Sequence, residues 1–261
     1  NLLGDFNLAG ETWLIRSYLE RIGLRVVATI TGDGRIDAIR ACHGADLNLV
    51  QCTGSMRPLA RMLEEVHGIP SLEVSFVGLD DSADALYRTA RHFGGGALER
   101  AAIDLVRDEV AAIAPELSRW RKDLRGATAA VYTGGAFKAI SLVRALRALG
   151  LRTRLVGSQT GSPADYQELA RLADPGTRIV DDLSAGDLAR FLDAERIDLL
   201  IGGVKERYEA YRRGIGFCDH NHERKHGLAG FAGMLAFARE VGATVLSPAR
   251  RLVASRLERQ P

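Results

Sequence analysis

Short apolar runs alternate with amphipathic stretches along most of the chain, and this alternation most constrains the fold. Seven apolar runs have the length and composition of β-strands: residues 24–30, 47–52, 71–76, 129–135, 151–158, 177–182 and 198–203. Apolar residues recur at helical spacing over residues 55–67, about 80–92, 137–149, 163–173, 184–194 and about 205–212. Strands that alternate with helices predict an α/β fold with parallel sheets covered on both faces.

The alternation stops over residues 97–123, which are charged, follow helical spacing and carry no strand signal. We expect a long connecting helix here, interrupted near Pro115 because proline cannot donate a backbone hydrogen bond. The predicted organisation is an α/β domain, this helix, a second α/β domain and a C-terminal helix, at residues 1–96, 97–125, 126–246 and 247–261.

Composition argues against several classes of protein. The 35 Lys and Arg residues against 33 Asp and Glu give a net charge of +2, too small for the electrostatic footprint of a nucleic-acid-binding protein. No apolar run reaches the roughly 20 residues of a membrane-spanning helix. The three cysteines are odd in number and form no CxxC pair, which favours a reducing cytoplasm over a disulfide framework. The start, NLLGDFNLAGE, has neither an initiator Met nor a signal-peptide pattern, so we expect a piece of a longer chain.

Parallel strands place the loops that follow them at one edge of the sheet, where ligands of such folds bind. The loops expected there are TGDG (31–34), Cys52–Ser55, TGGAF (133–137), GSQTGS (157–162) and GGVKE (202–206).

Cys52 ends a predicted strand and directly precedes a predicted helix. The positive end of a helix dipole favours the thiolate form, which binds iron or attacks carbon, and Ser55 could hydrogen-bond the sulfur. The alternative is a buried cysteine that acts as a small apolar side chain.

Two glycine turns are weaker candidates for an anion site. Gly134 and Gly135 lie between a strand and a helix, as in phosphate-holding turns, although a tight connection would need the same glycines. Lys205 and Arg207 follow a similar turn and oppose the helix dipole, which an anionic ligand would explain and exposure to solvent would explain equally well.

The densest polar cluster is Asp219–His226, which holds three of the six histidines. His220 and His222 would share a face of an extended segment, and His222 and His226 would share a face of a helix. The spacing matches no zinc pattern, so a solvated loop and a loop that closes over a site both remain open.

Several motifs together resemble one family. They are GDFNLAGE (4–11), H-x-A-x-LN-x-x-x-C (43–52), HGIP (67–70), EVSF (73–76), YTGG (132–135), GG-x-KE-x-Y (202–208) and GIGFCDHNHERKHGLAGFAGM (214–234). In this order they resemble the α-type chains of nitrogenase component 1 and its relatives, most closely the E-type chain of the cofactor-assembly scaffold.

The resemblance implies three Rossmann-like domains in the full protein, of which the first has no counterpart here. It also implies a cofactor site, and the chain departs from the catalytic chains there. The cysteine matching Cys52 ligates the large iron–sulfur cofactor or its precursor, and Lys205 matches a lysine near the homocitrate end of the mature cofactor. Asn221 stands where catalytic chains carry a second ligand, a histidine, and Phe137 stands where they carry an arginine.

Other residues around the site follow from the same resemblance. Asn221, Glu223 and Arg224 match the scaffold's loop, and His222 departs from it. His220 could substitute as a second ligand. The groups expected around the cofactor, with Cys52 as the metal ligand, are Ser55, Gly134, Gly135, Lys138, Lys205, His220, Asn221, His222 and Arg224.

The leading hypothesis is therefore a scaffold subunit, without turnover of its own, that holds an iron–sulfur precursor through Cys52 while molybdenum and homocitrate are added. The resemblance implies a β-type partner in an α2β2 heterotetramer and a docking iron protein, with neither nucleic acid nor membrane as a partner. A catalytic α-type subunit of a nitrogenase-like reductase is the alternative. A two-domain α/β binder of small molecules without metal is the third possibility.

Overall fold

A computed structural model of the chain describes residues 1–221 and 223–257 and divides into two compact units. Unit 1 contains Asn1–Ala114 and Lys225–Met234, and unit 2 contains Pro115–Arg224 and the residues from Leu235 onward. The predicted α/β class with two parallel sheets is confirmed, whereas the domain boundaries stay a prediction. Within the described residues, no helix combines the length and the apolar character needed to cross a membrane.

Unit 1 is built on four parallel strands in the order β2-β1-β3-β4, namely β1 (Leu2–Asp5), β2 (Thr29–Thr31), β3 (Asn48–Val50) and β4 (Ser71–Glu73). Its helices are α1 (Glu11–Arg21), α2 (Ile36–Arg40), α3 (Thr53–His67), α4 (Leu79–Phe93) and the first part of α5 (Gly96–Leu124). The central strands β1 and β3 are buried along their whole length, as parallel strands covered on both faces must be.

Helix α3 packs on these central strands through one face. Ala60 and Leu63 belong to the core cluster that also contains Leu3 and Val50. Met62 and Val66 occur at the same helical spacing in the sequence, but they are 52% and 67% exposed and lie on the outer face. Periodicity alone therefore predicts the helix, but it does not separate its two faces.

Helix α5 runs without a break for 29 residues and contains Pro115 in its interior. The interruption expected at this proline is wrong. Ile113 and Leu117 flank Pro115 and are buried, so apolar packing on either side offsets the hydrogen bond that proline cannot make. The division between the two units falls at this point, between Ala114 and Pro115.

The segment Lys225–Met234 packs within unit 1, far along the chain from the rest of that unit. Leu228 donates its backbone N–H to Oε1 of the buried Glu11 at 2.6 Å, and Gly230 donates its N–H to the carbonyl of Phe76 at 2.6 Å. Gly230 has a φ of +72°, and a Cβ there would lie 2.1 Å from the Tyr18 ring. Only glycine meets both conditions at this position.

Unit 2 is built on five parallel strands in the order β7-β6-β5-β8-β9, namely β5 (Thr128–Gly135), β6 (Arg152–Thr160), β7 (Arg178–Asp181), β8 (Leu199–Gly202) and β9 (Gly216–Asp219). The helices that follow are α6 (Ala136–Ala148), α7 (Pro163–Leu172), α8 (Ala185–Ala194), α9 (Val204–Tyr211), the part of α10 (Gly230–Val245) from Leu235 onward, and α11 (Pro248–Leu257). The core on one face of the sheet joins Leu155 and Leu200 to Leu188 and Phe191 of α8.

Candidate functional site

Cys52 lies between the end of β3 and the start of α3, where it occupies the N-cap position of the helix. Its carbonyl accepts the first helical hydrogen bond from Met56 N at 2.9 Å. The half-buried thiol donates to Oγ of Ser55 at 3.3 Å. The sulfur therefore lies at the helix end whose partial positive charge stabilises an anion, and Ser55 lies beside it.

Gly4 is a residue of this site that sequence reasoning misses. Its φ is +88°, and a Cβ at this position would lie 2.7 Å from both Cβ and N of Cys52. The pairing register between β1 and β2 shifts at the same point, between Leu3 and Asp5. The backbone of β1 thus lies directly against Cys52, and only the GDFNLAGE motif signals this in the sequence.

The loop after β1 meets the TGDG turn at the same edge of the sheet. Asp5 is buried, accepts the N–H of Asn7 at 2.8 Å and accepts the hydroxyl of Thr12. Gly32 donates its N–H to the Asp5 carbonyl at 2.8 Å. The strand-end loops of unit 1 are therefore gathered at one edge, as predicted.

In unit 2, the residues predicted as a glycine turn, Thr133–Gly135, are the last three residues of β5 and lead directly into α6. The Gly134 carbonyl accepts the hydroxyl of Thr160 at 2.7 Å, which ties this turn to the GSQTGS loop. A Cβ built at Gly134 or Gly135 meets nothing within 4 Å, so the space above the turn is open. Lys138 follows in the first turn of α6 and is half-buried.

The Gly202–Glu206 turn is closed by its own helix cap. Gly203 donates its N–H to Oε2 of Glu206 at 2.8 Å, and Lys205 is exposed. Arg207 contacts Glu223 at 2.5 Å and Asp219 at 3.5 Å. These ion pairs neutralise Arg207 within the protein, so its charge needs no anionic ligand as an explanation.

His220 is 1% exposed and lies at the end of β9, where its backbone N–H donates to the Gly202 carbonyl at 3.0 Å. Its ring packs edge-to-face on Phe237 with 5.1 Å between centroids. Neither ring nitrogen has a hydrogen-bond partner among the described residues. Burial, reinforced by the positive charges of Lys138 and Arg224, holds the pKa of His220 well below its ordinary value. The imidazole is therefore neutral at physiological pH.

The loop after His220 is held by Asp219, whose Oδ1 accepts the backbone N–H of Asn221 at 2.8 Å and of Glu223 at 3.3 Å. The Asn221 side chain is exposed, and its Nδ2 lies 3.3 Å from where a Cβ on Gly203 would be. Arg224 is half-buried, and His222 lies outside the described residues.

Each unit brings part of the predicted set together. Unit 1 joins Cys52 and Ser55, and unit 2 brings Lys138 and Arg224 close to His220. Gly134 and Gly135 end β5, and Lys205 lies in the first turn of α9. Within the residues that the structure describes, no three His, Cys, Asp or Glu side chains could together hold a metal ion. A single thiolate suits a preassembled cluster, whose remaining bonds are its own, better than a free ion.

The chain is similar over nearly its whole length to proteins of one family. Residues 1–246 match the model of nitrogenase component 1 type oxidoreductases. The chain is 47% identical to the nitrogenase iron–molybdenum cofactor biosynthesis protein NifE of Clostridium pasteurianum, over 95% of this chain and 54% of that protein. It is 42% identical to the protein of the same name from Methanosarcina barkeri, over 98% of this chain and 56% of that protein.

A solved structure of nitrogenase Cp1 at pH 5 superposes with a TM-score of 0.88 and 27% identity, over 97% of this chain and 57% of that chain. The chain thus spans about half the length of the relatives it matches. Because the family model covers most of the sequence, the chain belongs to the nitrogenase component 1 type oxidoreductase family.

Proposed function

We propose that this chain is part of a scaffold subunit on which the iron–molybdenum cofactor of nitrogenase is assembled in the cytoplasm. Its cargo is an iron–sulfur cluster precursor, held through one iron–thiolate bond to Cys52. The observation that carries the proposal is the position of Cys52, half-buried at the N-cap of α3, in a chain 47% identical to a cofactor biosynthesis protein.

The surroundings of Cys52 suit a bound cluster. Gly4 approaches the cysteine so closely that no side chain fits between β1 and Cys52. Ser55 is within hydrogen-bond reach of the sulfur, and hydrogen bonds to cluster-ligating sulfur tune the cluster. The residues present in unit 1 therefore fit a cluster attached through a single thiolate.

Unit 2 carries cations and polar groups of its own that suit an anionic ligand. Lys138, Lys205 and Arg224 are cations that attract an anionic cluster, its molybdenum-containing form or homocitrate. Asn221 offers an exposed amide, and His220 a buried neutral imidazole.

Partners follow from the same proposal. The full-length protein would pair with a β-type subunit in an α2β2 heterotetramer and would dock an ATP-dependent iron protein. Exposed apolar side chains such as Trp13 (59% exposed) and Tyr208 (71% exposed) would then be candidates for subunit contacts.

The test is iron analysis after anaerobic co-expression with a β-type partner. Cys52→Ala should lose the precursor's iron, because it removes the only proposed protein–iron bond. Cys42→Ala is a matched control, since Cys42 is also a free, half-buried cysteine of unit 1, and it should retain the iron. Equal iron in wild type and Cys52→Ala, with both proteins folded, would refute the anchor.

The alternative, a catalytic subunit of a nitrogenase-like reductase, is favoured by the superposition on nitrogenase Cp1, although identity there is only 27%. Transfer of the cluster from the purified complex to an apo-acceptor protein supports the scaffold. Reduction of a small substrate by the same complex with its iron protein supports the reductase.

A further inference from the structure

A cavity of about 340 Å³ opens in unit 2 at the amino ends of β6 and β7, away from the glycine turns at the carboxyl edge. Three arginines line it, Arg154 from β6, Arg178 from β7 and Arg190 from α8. The carboxylates of Asp187 and Glu195 also line the cavity, so three positive and two negative groups surround it.

Two of these arginines are already paired. Arg154 contacts Oε2 of Glu195 at 2.8 Å, and Arg190 contacts Asp187 within α8. The Ser184 hydroxyl and Arg190 hold the pKa of Asp187 below its ordinary value. This carboxylate therefore stays ionised and paired with Arg190. The side chain of Arg178 makes no hydrogen bond or ion pair with the residues that the structure describes. The lining therefore keeps one uncompensated positive charge.

The rest of the cavity suits a small polar ligand. Phe191 lines it from α8, is 7% exposed and gives it an apolar wall. Gly176 also lines the cavity, and its φ of +83° favours glycine at this position. Small-molecule pockets start at roughly 300 Å³, and guanidinium groups bind carboxylate and phosphate oxygens in a bidentate manner.

We propose that this cavity binds a small anion with at least two negative charges, of the phosphate or polycarboxylate class. Arg178 is its main contact, and Arg154 is shared between the ligand and Glu195. The site belongs to unit 2 alone and is independent of the cluster proposed at Cys52. The competing explanation is that Arg178 only keeps the edge strand β7 from pairing with another strand.

The test is calorimetric titration of the full chain at low ionic strength, with inorganic phosphate and with citrate in separate experiments. We expect saturable one-site binding of at least one of them. Arg178→Gln should weaken it about tenfold or more by removing the bidentate contact. Binding of phosphate alone would assign the site to phosphoryl groups, and binding of citrate alone would assign it to polycarboxylates.

The matched control is Arg171→Gln, which removes one positive charge from an arginine of α7 that does not line the cavity. It should bind the anion as wild type does, and Arg178→Lys should bind with intermediate affinity. Thermal unfolding in chloride buffer checks that the variants are folded. Equal weakening by Arg171→Gln and Arg178→Gln, or no saturable binding of either anion by wild type, would overturn the proposal.

Discussion

At the scale of single residues, Gly4 determines where Cys52 can lie. Its φ of +88° is unfavourable for any residue with a Cβ, and the same Cβ would meet Cys52 at 2.7 Å. Backbone strain and a steric clash thus act together at one position, directly beneath the proposed cluster anchor.

Gly4→Ala should therefore destabilise the protein by about 2–4 kcal/mol, the sum of the left-handed backbone cost and overpacking. Urea unfolding monitored by circular dichroism measures this change. Gly54→Ala is the control, because a Cβ on Gly54 in the first turn of α3 meets nothing within 4 Å, and it should be neutral or slightly stabilising. Equal stability of the two variants would show that β1 can move away from Cys52.

Sequence reasoning predicts the position of Cys52 but not its partner Gly4. The strand-to-helix transition that places the cysteine is local, and local patterns are visible in the sequence. The contact between Gly4 and Cys52 joins β1 to the residue that caps α3, 48 positions away in the sequence, and no periodicity encodes it. The burial of His220 is likewise not encoded locally. The charged cluster around it leaves a solvated loop and a loop over a site both open, whereas in the structure its ring packs on Phe237 of α10.

At the scale of elements, α5 contradicts a local rule. Pro115 removes a hydrogen bond from the interior of a 29-residue helix, yet the helix continues because its flanking apolar side chains are buried. Tertiary packing outweighs the local preference here.

Pro115→Ala should restore the missing backbone hydrogen bond, which stabilises the folded protein. Alanine also gives the unfolded chain more conformational entropy, which opposes this gain, so the net stabilisation should be about 1–3 kcal/mol. Pro163→Ala provides the contrast, because Pro163 stands at the start of α7, where proline is favourable, and it should lower stability slightly. Chemical denaturation of both variants tests this, and a loss of stability in Pro115→Ala would contradict it.

Most elements of the alternating pattern are predictable, and the exceptions share a cause. The strands β1 and β9 are four residues each and end in an aspartate, so neither stands out as an apolar run. The strand predicted over residues 24–30 is also shorter, since β2 starts only at Thr29. Very short buried strands owe their existence to the sheet around them, which a sequence window does not contain.

At the scale of the whole molecule, the buried imidazole of His220 couples stability to pH. Its pKa is well below the ordinary value of 6.5, whereas the unfolded chain protonates this group near pH 6.5. Below that pH the unfolded state binds more protons than the folded state, so the free energy of unfolding falls as the pH falls.

His220→Leu should remove this dependence and leave no polar atom to bury. Between pH 6.5 and pH 5, wild type should lose up to about 1.4 kcal/mol per pH unit more than the variant. Urea unfolding across this range measures the difference. The exposed His92 serves as the control, and His92→Gln should follow the wild-type curve. Parallel curves for wild type and His220→Leu would mean that His220 becomes protonated in the folded state.

The route of the chain also limits how the protein can be divided by engineering. Lys225–Met234 completes unit 1, so a gene truncated after residue 114 would encode that unit without this segment. The hydrogen bonds that the segment donates to the Glu11 carboxylate and the Phe76 carbonyl would be lost. An excised domain would need this ten-residue piece grafted back through an artificial linker. Independent duplication or exchange of either half by recombination is thereby discouraged.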